Sequence, residues 1–441
     1  MSEVINALGK ITLNRWYCID YLRNTAKFGA ATIAEEVNQV PIGTKLIIDL
    51  RSHLPILEPF NIPAPARTDF FAETVSSLAV YLRPEQNIVL QFSGGLDSSF
   101  LLATIQQTGV SFMALHFVLA DEARSSEAEI AIQAGEDLNV PVFVGRGERT
   151  YTAARTAFRL SEPTNSPWEV FPLSDDPANR SSFYNEQLSI VGLDRALFIS
   201  GHGGDDVFVQ NPPRTLGYDA FRRAGLPGML RDLARLSTLK SEPLWKNCLA
   251  SLANLGRSKA KSNLPVWLAE LGTPPYRWNE HHLLNAWDPR SAKYSHCRAI
   301  LAGNIEGPTL TDGPIRTVHP MLFQPMVAGV IGEPISNLFD EHFDRLPLRS
   351  NLAKHSPIRT AWRRTKRSSS DFAFRFLNQN QRQITEALEC GPLSTCLGVD
   401  QRWLNEEISY NGNVGLNDNG SLIMDMLRLS MFIEPFADKI H

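Results

Sequence analysis

The stretch Ile88-Val89-Leu90-Gln91-Phe92-Ser93-Gly94-Gly95-Leu96-Asp97-Ser98-Ser99 decides how this chain folds. Its apolar first part predicts a buried strand, its two glycines predict a tight turn, and the residues that follow, 100–104, predict a helix. Glycines let a backbone approach a bulky anion, and the amide groups at a helix N-terminus attract negative charge. The stretch therefore predicts a loop that binds phosphate.

This loop differs from the common phosphate loop of kinases and ATPases, whose pattern requires a lysine that is missing here. Asp97 stands beside the expected phosphate instead. Two negative groups so close together require a cation between them, and the sequence predicts that this cation is Mg²⁺. The competing interpretation is an ordinary strand-to-helix turn whose serines cap the helix.

The composition is typical of a globular protein and argues against several functional classes. The 441 residues suffice for one large or two medium-sized domains. The net charge of −4 gives no overall attraction to nucleic acid or to an acidic membrane. Five scattered cysteines without a C-x-x-C pair argue against a zinc site or a disulfide framework and predict a cytoplasmic location. Neither a signal peptide nor a run long enough to span a membrane is found.

Strands and helices alternate around the phosphate loop. Strands are predicted at 88–92, 112–118, 140–144 and 196–200, and helices at 70–82, 125–139 and 183–191. This alternation predicts an α/β fold with a doubly wound parallel sheet, in which ligands bind at the carboxyl ends of the strands.

The last of these strands runs into a second glycine-rich loop, Gly201-His202-Gly203-Gly204-Asp205-Asp206. Its three glycines let this loop reach into the same crevice as the first. Asp205 is then a candidate second carboxylate for an Mg²⁺ ion that bridges phosphates. The alternative is a glycine-rich turn with a solvated pair of aspartates.

The first loop resembles the pyrophosphate loop of the N-type ATP pyrophosphatases, which split ATP between the α- and β-phosphates and adenylate their substrate. The second is similar to the S-G-x-G-[GS]-D-E loop of asparagine synthetases and to related loops of β-lactam synthetases and lasso peptide cyclases. His202 stands where asparagine synthetases have an acid, and Asp206 where they have a glutamate. The segment from His319 to Pro325 is closer to the form found in lasso peptide cyclases. The chain therefore resembles a lasso peptide cyclase over roughly residues 40 to 435.

The resemblance implies ATP and Mg²⁺ as cofactors and assigns residues to each. The residues that it places against the nucleotide and its pyrophosphate are Gln91, Ser93, Gly94, Gly95, Asp97, Ser98, Leu115, Ser200 and Gly201. Asp97 and Asp205 are the implied magnesium ligands.

A basic segment, 344–367, holds eight lysines and arginines against one acid, Asp344. Its end resembles the loop that carries an essential lysine in this family, which makes Lys366 the candidate catalytic residue. A fixed cation there would stabilise the oxyanion that forms when an amine attacks an acyl-adenylate. The alternatives are a solvated basic helix face and a docking strip for an acidic partner or RNA.

The resemblance also divides the chain into two parts. Residues 1–69 are expected to form a small β-rich remnant of a glutaminase-like domain, with a strand at 45–50 and a stiff linker rich in proline. Residues 70–441 are expected to form the asparagine synthetase-like ligase domain, with a large helical portion. Because Ser2 follows Met1 where those synthetases carry a nucleophilic cysteine, no ammonia from glutamine is expected.

The expected function is therefore that of a lasso peptide cyclase. Such an enzyme adenylates an Asp or Glu side chain of a precursor peptide and joins it to the N-terminal amine, releasing AMP and pyrophosphate. The implied partners are the precursor peptide, a leader peptidase and a precursor-recognition protein, with no nucleic acid or membrane partner. Tyr184, Tyr218 and Glu242 all remain candidates for the base that accepts the amine proton.

Other functions remain open. An ammonia-dependent asparagine synthetase and a β-lactam synthetase would use the same chemistry. A tRNA-modifying ATP pyrophosphatase would need a nucleic-acid-binding face, which only the basic segment offers. A nucleotide-binding subunit without turnover is the remaining alternative.

Overall fold

The computed structural model describes residues 2–23, 29–48, 55–59, 69–83, 85, 87–118, 126–146, 158, 160, 164, 167, 170, 180–255, 265–272, 281–306, 314–364, 370–414 and 418–440. The N-terminal elements are α1 (Ser2–Leu8), α2 (Arg15–Leu22), β1 (Thr44–Ile48) and β2 (Pro55–Pro59). The central elements are α3 (Phe70–Leu82), β3 (Ile88–Gln91), α4 (Leu96–Thr108), β4 (Met113–Val118), α5 (Ser126–Asp137), β5 (Val142–Arg146), α6 (Arg180–Val191), β6 (Ala196–Ile199) and α7 (Gly204–Val207).

The second half of the chain is mainly helical. Its elements are α8 (Leu216–Lys240), α9 (Leu244–Leu255), α10 (Val266–Glu270), α11 (His282–Asn285), α12 (Ala292–Glu306), β7 (Ile315–Val318), α13 (Gln324–Ile331), α14 (Leu346–His355), α15 (Ser370–Gln379), α16 (Gln381–Cys390), α17 (Pro392–Leu397), α18 (Gln401–Val414) and α19 (Asp418–Ile433). Helix α8 is kinked at Ala224 and Gly225, where the backbone leaves the helical region.

Strands β3 to β7 form one parallel sheet in the order β5-β4-β3-β6-β7. In this register Leu90 of β3 lies between Ala114 of β4 and Ile199 of β6. The two glycine-rich loops follow β3 and β6, which are neighbours. Since parallel strands end at the same edge of a sheet, both loops open into one crevice. The predicted α/β class with a parallel sheet is confirmed, and the arrangement is compatible with an asparagine synthetase-like fold.

Strand β7, the edge strand next to β6, was not predicted from the sequence. Its four residues include Arg316 and Thr317, which interrupt the apolar pattern that marks the other buried strands. Arg316 reaches back to Glu85 in an ion pair of 2.5 Å, while Ile315 and Val318 are buried. Because of these polar residues, the apolar pattern did not predict the strand that forms this edge of the sheet.

The N-terminal region contains more helix than the sequence predicted. Helices α1 and α2 are present, and the strand expected at 45–50 is β1, whose described residues end at Ile48. Pro55 and Pro59 lie in β2, which pairs antiparallel with β1, so the expectation of a stiff extended linker is wrong for these two prolines. Pro63 and Pro65 lie outside the described residues. The division of the chain at residue 69 stays a prediction.

Two hydrophobic clusters dominate the interior. The first packs helices against the sheet, and its members include Phe100, Ile199, Phe208 and Phe339. The second joins the N-terminal helices to the C-terminal ones through side chains such as Ile19, Tyr21, Phe376, Leu427 and Phe432. The start and the end of the chain are therefore buried against each other.

None of the helices that the structure describes has both the length and the apolar composition needed to cross a lipid bilayer.

Candidate active site

The first loop forms the predicted turn between β3 and α4. Gly94 has φ of +74°, a conformation that favours glycine, and a Cβ there would lie 3.1 Å from the Ala131 amide nitrogen. Ser98 Oγ lies 3.1 Å from Ser93 Oγ and donates to the carbonyl of Gly95, also at 3.1 Å. The loop is thus a preorganised ring of hydroxyl and amide groups at a helix N-terminus, which suits a phosphate.

Glycines of the second loop let it pack directly on the first. A Cβ on Gly201 would lie 3.0 Å from Asp97 Cβ and 3.1 Å from the amide nitrogen of Ser98. A Cβ on Gly204 would lie only 2.6 Å from Asp97 Oδ1. The loops after β3 and β6 therefore converge, and a side chain at either glycine would push them apart.

Asp97 and Asp205 face one buried cation, the guanidinium of Arg345. Its Nη1 donates to Asp97 Oδ2 at 2.8 Å and also to Asp205 Oδ1. Arg345 is only 4% exposed. Burial lowers the pKa of Arg345, but the carboxylates of Asp97, Asp205 and Asp344 outweigh burial and raise it. The two candidate metal ligands are thus close enough to share one positive charge.

Further contacts fix this arrangement. With its amide nitrogen toward the carboxylate, Gln210 donates to both oxygens of Asp205, at 2.9 and 3.1 Å. Arg345 itself has φ of +52°, and Val209, which follows the second loop, has φ of +61°. Positive φ is uncommon for an arginine and an outlier for a β-branched residue, and such strain concentrates at functional sites.

From the sequence, Arg345 was only one member of a basic segment and did not differ from its neighbours. The structure shows that Arg345 and Arg349 are buried, so a solvated helix face is the wrong description for these two residues. The dipeptide Asp344-Arg345 before a helix did not by itself indicate a site residue. Only the fold brings residue 345 to two acids that lie 140 and 248 residues earlier.

The donor set fits Mg²⁺. Among the described residues no group of three or more His, Cys, Asp and Glu side chains surrounds a common point. Two carboxylates from two strand ends match Mg²⁺, which takes its remaining ligands from water and substrate phosphates rather than from a complete protein cage. The guanidinium shows that the pair accommodates a cation.

Ser200 and His319 add a polar pair at the same edge of the sheet. Ser200 follows β6 and His319 follows β7, and the Ser200 hydroxyl lies 2.8 Å from His319 Nδ1. The amide of His202 donates to Ser200 Oγ at 3.3 Å, and the His202 and His319 rings meet edge to face with centroids 5.1 Å apart. His202 Nε2 donates to the carbonyl of Gly303 at 2.8 Å, which ties the loop to α12.

The other predicted site residues lie nearby or outside the described chain. Gln91 donates to the buried Gln187 of α6 at 3.0 Å. Leu115 is 1% exposed, and its carbonyl accepts from the amide of Phe92 at 2.8 Å. Lys366 lies outside the described residues, as do its immediate neighbours 365 and 367–369.

The chain just before Lys366 is nevertheless held close to Arg345. Arg349, one turn along α14, donates from Nη1 to the carbonyls of Ala361 and Arg363, at 2.7 and 3.0 Å. The Arg364 guanidinium lies 5.0 Å from the centre of the Phe343 ring. This anchored segment beside the crevice therefore ends two residues before Lys366.

The three candidate bases make contacts of their own. Tyr218 donates to Asp288 at 2.6 Å, and Glu242 pairs with Arg214 and Lys246. The Tyr184 ring packs on Phe198, with centroids 5.0 Å apart.

Helix α12 connects the second loop to a cavity of about 510 Å³ at its own N-terminal end. Lys293 lines the cavity, and His296, one turn on, donates from Nε2 to the carbonyl of Val207 in α7. A Cβ on Gly303, two turns further, would lie 2.8 Å from Asp206 Oδ2. The helix thus supports the Asp205 loop at several points.

The chain is similar to a protein of known name. The chain is 28% identical over 357 residues to the microcin J25-processing protein McjC of Escherichia coli. The aligned region covers 80% of this chain and 62% of that protein. No protein-family profile matches the chain. The similarity agrees with the resemblance that the two loops indicate.

Proposed function

We propose that this protein is an ATP-dependent amide ligase that closes a macrolactam ring in a precursor peptide. It would adenylate an Asp or Glu side chain of the peptide and join that carbonyl to the N-terminal amine, with release of AMP and pyrophosphate. The observation that carries the proposal is the convergence of the two loops, with Asp97 and Asp205 sharing one cation. Similarity to a protein that processes microcin J25 supports a peptide substrate.

In this proposal the fold is of the N-type ATP pyrophosphatase kind, and the first loop holds the pyrophosphate part of ATP. Ser93, Ser98 and the α4 amide groups donate to the phosphate oxygens, as the ring of hydroxyls allows. Mg²⁺, when bound between Asp97 and Asp205, would screen the negative charge of the pyrophosphate. Arg345 would have to give up at least one carboxylate at that moment.

Lys366 is the proposed catalytic cation. A positive charge fixed next to the α-phosphate stabilises the oxyanion that forms as the amine attacks. The segment before Lys366 supports this role. Arg349, which lies one turn after Arg345, donates a hydrogen bond to the carbonyl of Arg363 and so anchors that segment. Holding the amine and the activated carbonyl together supplies much of the rate, because a bimolecular step becomes intramolecular.

The proposed partners follow from this chemistry. In this proposal the amine is the peptide's own N-terminus, so a leader peptidase would expose it and a precursor-recognition protein would deliver the chain. All five cysteines are free thiols, which supports the cytoplasmic location proposed for these steps.

The test is pyrophosphate release with the peptide encoded by a short precursor reading frame beside the gene, its leader removed. We expect release that depends on peptide and ATP, yields AMP, and is matched by a product lighter by one water. Aspartate plus ammonia should give no release. Release with aspartate and ammonia but not with peptide would overturn the proposal in favour of an asparagine synthetase.

A further inference from the structure

The Ser200–His319 pair lies on the side of the crevice where the proposed ring closure needs a proton acceptor. In the sheet order β5-β4-β3-β6-β7, the phosphate loop follows β3, and the predicted nucleotide contact Leu115 is on β4. A nucleotide bound there covers the β4 and β3 ends. The resemblance also places Ser200, just after β6, against the nucleotide, so in this inference Ser200 marks the boundary between the α-phosphate and the acyl group. The acyl group and the incoming amine then lie at the ends of β6 and β7, which carry Ser200 and His319.

The hydrogen bonds around Ser200 give its proton a direction. Its Oγ accepts from the amide of His202 at 3.3 Å, and with His319 in the tautomer that carries its proton on Nε2, the Ser200 hydroxyl donates to His319 Nδ1 at 2.8 Å. A hydroxyl held in this way can take a proton on its oxygen while it passes its own proton to an imidazole. His319 is 8% exposed, which shields the pair from exchange with bulk water.

The remaining described acid–base groups of the crevice are less suited. Asp97 and Asp205 share the Arg345 guanidinium and are the proposed metal ligands. His202 donates its Nε2 proton to the Gly303 carbonyl. Histidine is the side chain whose ordinary pKa places proton acceptance near neutral pH.

We infer that Ser200 and His319 form a proton relay for the amine that closes the ring. This inference rests on the proposed function. As the amine nitrogen bonds to the acyl carbon, the bond from that carbon to the phosphate oxygen breaks and AMP leaves with the electron pair. The surplus proton on the nitrogen passes to Ser200 Oγ, whose own proton passes to His319 Nδ1. Ser200 touches the reacting amine. His319 acts through Ser200: it positions the Ser200 hydroxyl and is the final acceptor of the proton.

His319→Asn tests this role without removing the hydrogen bond. The Asn amide can occupy the place of Nδ1 next to Ser200 but cannot accept a proton near neutral pH. We expect ATP–pyrophosphate exchange, which needs no amine, to stay within about threefold of wild type. Ring closure should fall by about 10²–10⁴-fold, the usual worth of general acid–base catalysis. Hydroxylamine, a nucleophile that is mostly unprotonated at neutral pH, should still trap the acyl-adenylate.

The pH profile separates a relay from a merely structural role. Ring closure should decline in acid because both the peptide amine and the imidazole become protonated, and His319→Asn should remove only the imidazole's part of that decline. The charged or titratable groups on the elements that converge there include His202 after β6, Asp97 on α4, Asp205 and Asp206 on α7, Lys293 and His296 on α12, and Arg345 before α14. His202→Asn is therefore measured in parallel. His355→Asn is the control, because the His355 ring stacks on Phe71, away from the loops.

The outcomes are distinct. Loss of closure and of the imidazole's part of the acidic decline in His319→Asn alone, with exchange and hydroxylamine trapping retained, supports the relay. Wild-type closure in His319→Asn, or disappearance of the imidazole's part of the acidic decline only in His202→Asn, overturns it while the proposed function stands. Absence of any peptide-dependent pyrophosphate release from wild type overturns both.

Discussion

Arg345 donates to Asp97 Oδ2 at 2.8 Å from a nitrogen that also contacts Asp205. Asp97 begins a helix after β3, and Arg345 precedes a helix formed 248 residues later in the chain. The contact closes the crevice floor and puts a positive charge where the proposed metal ion would bind. A cation, rather than a hydrophobic contact, therefore holds the two loops together at this point.

Replacing Arg345 by Leu should destabilise the protein and make it dependent on Mg²⁺. Removing one partner of a buried ion pair costs about 3–5 kcal/mol, and we expect about 2–3 kcal/mol because Asp205 is 35% exposed and partly screened. Added MgCl₂ should recover part of this loss by replacing the guanidinium. Urea unfolding with and without MgCl₂ measures it, and Arg345→Lys is the matched control. Equal stability of wild type and Arg345→Leu without Mg²⁺ would refute the argument.

Asp97→Asn and Asp205→Asn should each abolish peptide-dependent ATP consumption. Each substitution keeps the size of the side chain but removes the negative charge that Mg²⁺ requires. Asp400→Asn is the control, because the Asp400 side chain accepts from the amide of Trp403 at the start of α18. Release of AMP is the measurement. A variant that keeps near-normal turnover would remove its residue from the proposed metal site.

Gly204→Ala should impair ATP binding by separating the loops. The added Cβ would lie 2.6 Å from Asp97 Oδ1, a distance that requires the backbone or the carboxylate to move. Gly332→Ala is the control, since its nearest neighbour would be 3.9 Å away and its φ is −69°. Titration with a fluorescent ATP analogue should show at least a tenfold weaker Kd for Gly204→Ala alone. Unchanged affinity would mean that the close approach has no role in binding.

Lys366→Ala should lower the rate of product formation by about 10²–10³-fold, the scale for one oxyanion-stabilising donor. ATP affinity should change little, because the charge acts on the transition state. Lys354→Ala is a suitable control, since Lys354 is exposed and pairs only loosely with Asp69 at 3.6 Å. Single-turnover kinetics separates the two effects. A loss of affinity at unchanged rate would assign Lys366 to binding.

Acid should destabilise the protein through His296. Burial, reinforced by Lys293, lowers the pKa of His296 to about 3 in the folded protein, from 6.5. The folded pKa is depressed, so the contribution to stability is fully present above pH 6.5 and is lost as the pH falls toward 3. At pH 4.5 the loss should be about 2–3 kcal/mol, since one pKa unit corresponds to about 1.4 kcal/mol.

Urea unfolding at pH 7 and pH 4.5 tests this expectation. His296→Gln should show a smaller pH dependence than wild type, because the neutral amide does not titrate. His355→Gln controls for loss of an accessible histidine. The same pH dependence in His296→Gln and wild type would contradict the assignment. Because His296 also donates to Val207 in α7, the substitution should loosen the helix that carries Asp205.

Much of the sheet could be predicted from sequence, for a physical reason. Buried parallel strands are continuous apolar runs, so 88–92, 112–118, 140–144 and 196–200 matched β3 to β6 within two residues. The glycine patterns also indicated that the two loops meet, because each glycine removes a Cβ that would clash. Strand β7 was not predicted because Arg316 and Thr317 interrupt its apolar run.

What the sequence did not predict depends on contacts between distant parts of the chain. No local pattern distinguishes Arg345 from the seven other basic residues of its segment, and only its burial against two acids does so. The Ser200–His319 contact likewise spans 119 residues and requires an edge strand that was missed. The helices α1 and α2 gain their stability by packing on C-terminal helices rather than from their own composition.

The order of synthesis gives the Arg345 contact one more consequence. A ribosome completes both acidic loops long before it reaches residue 345, which follows Asp205 by 140 positions. Until then the nascent sheet must keep two like charges apart with solvent or with a cellular cation. Helices α1 and α2 wait still longer for the C-terminal segments that cover them. Translation pauses or truncations late in the chain should therefore leave the earliest residues open to proteases.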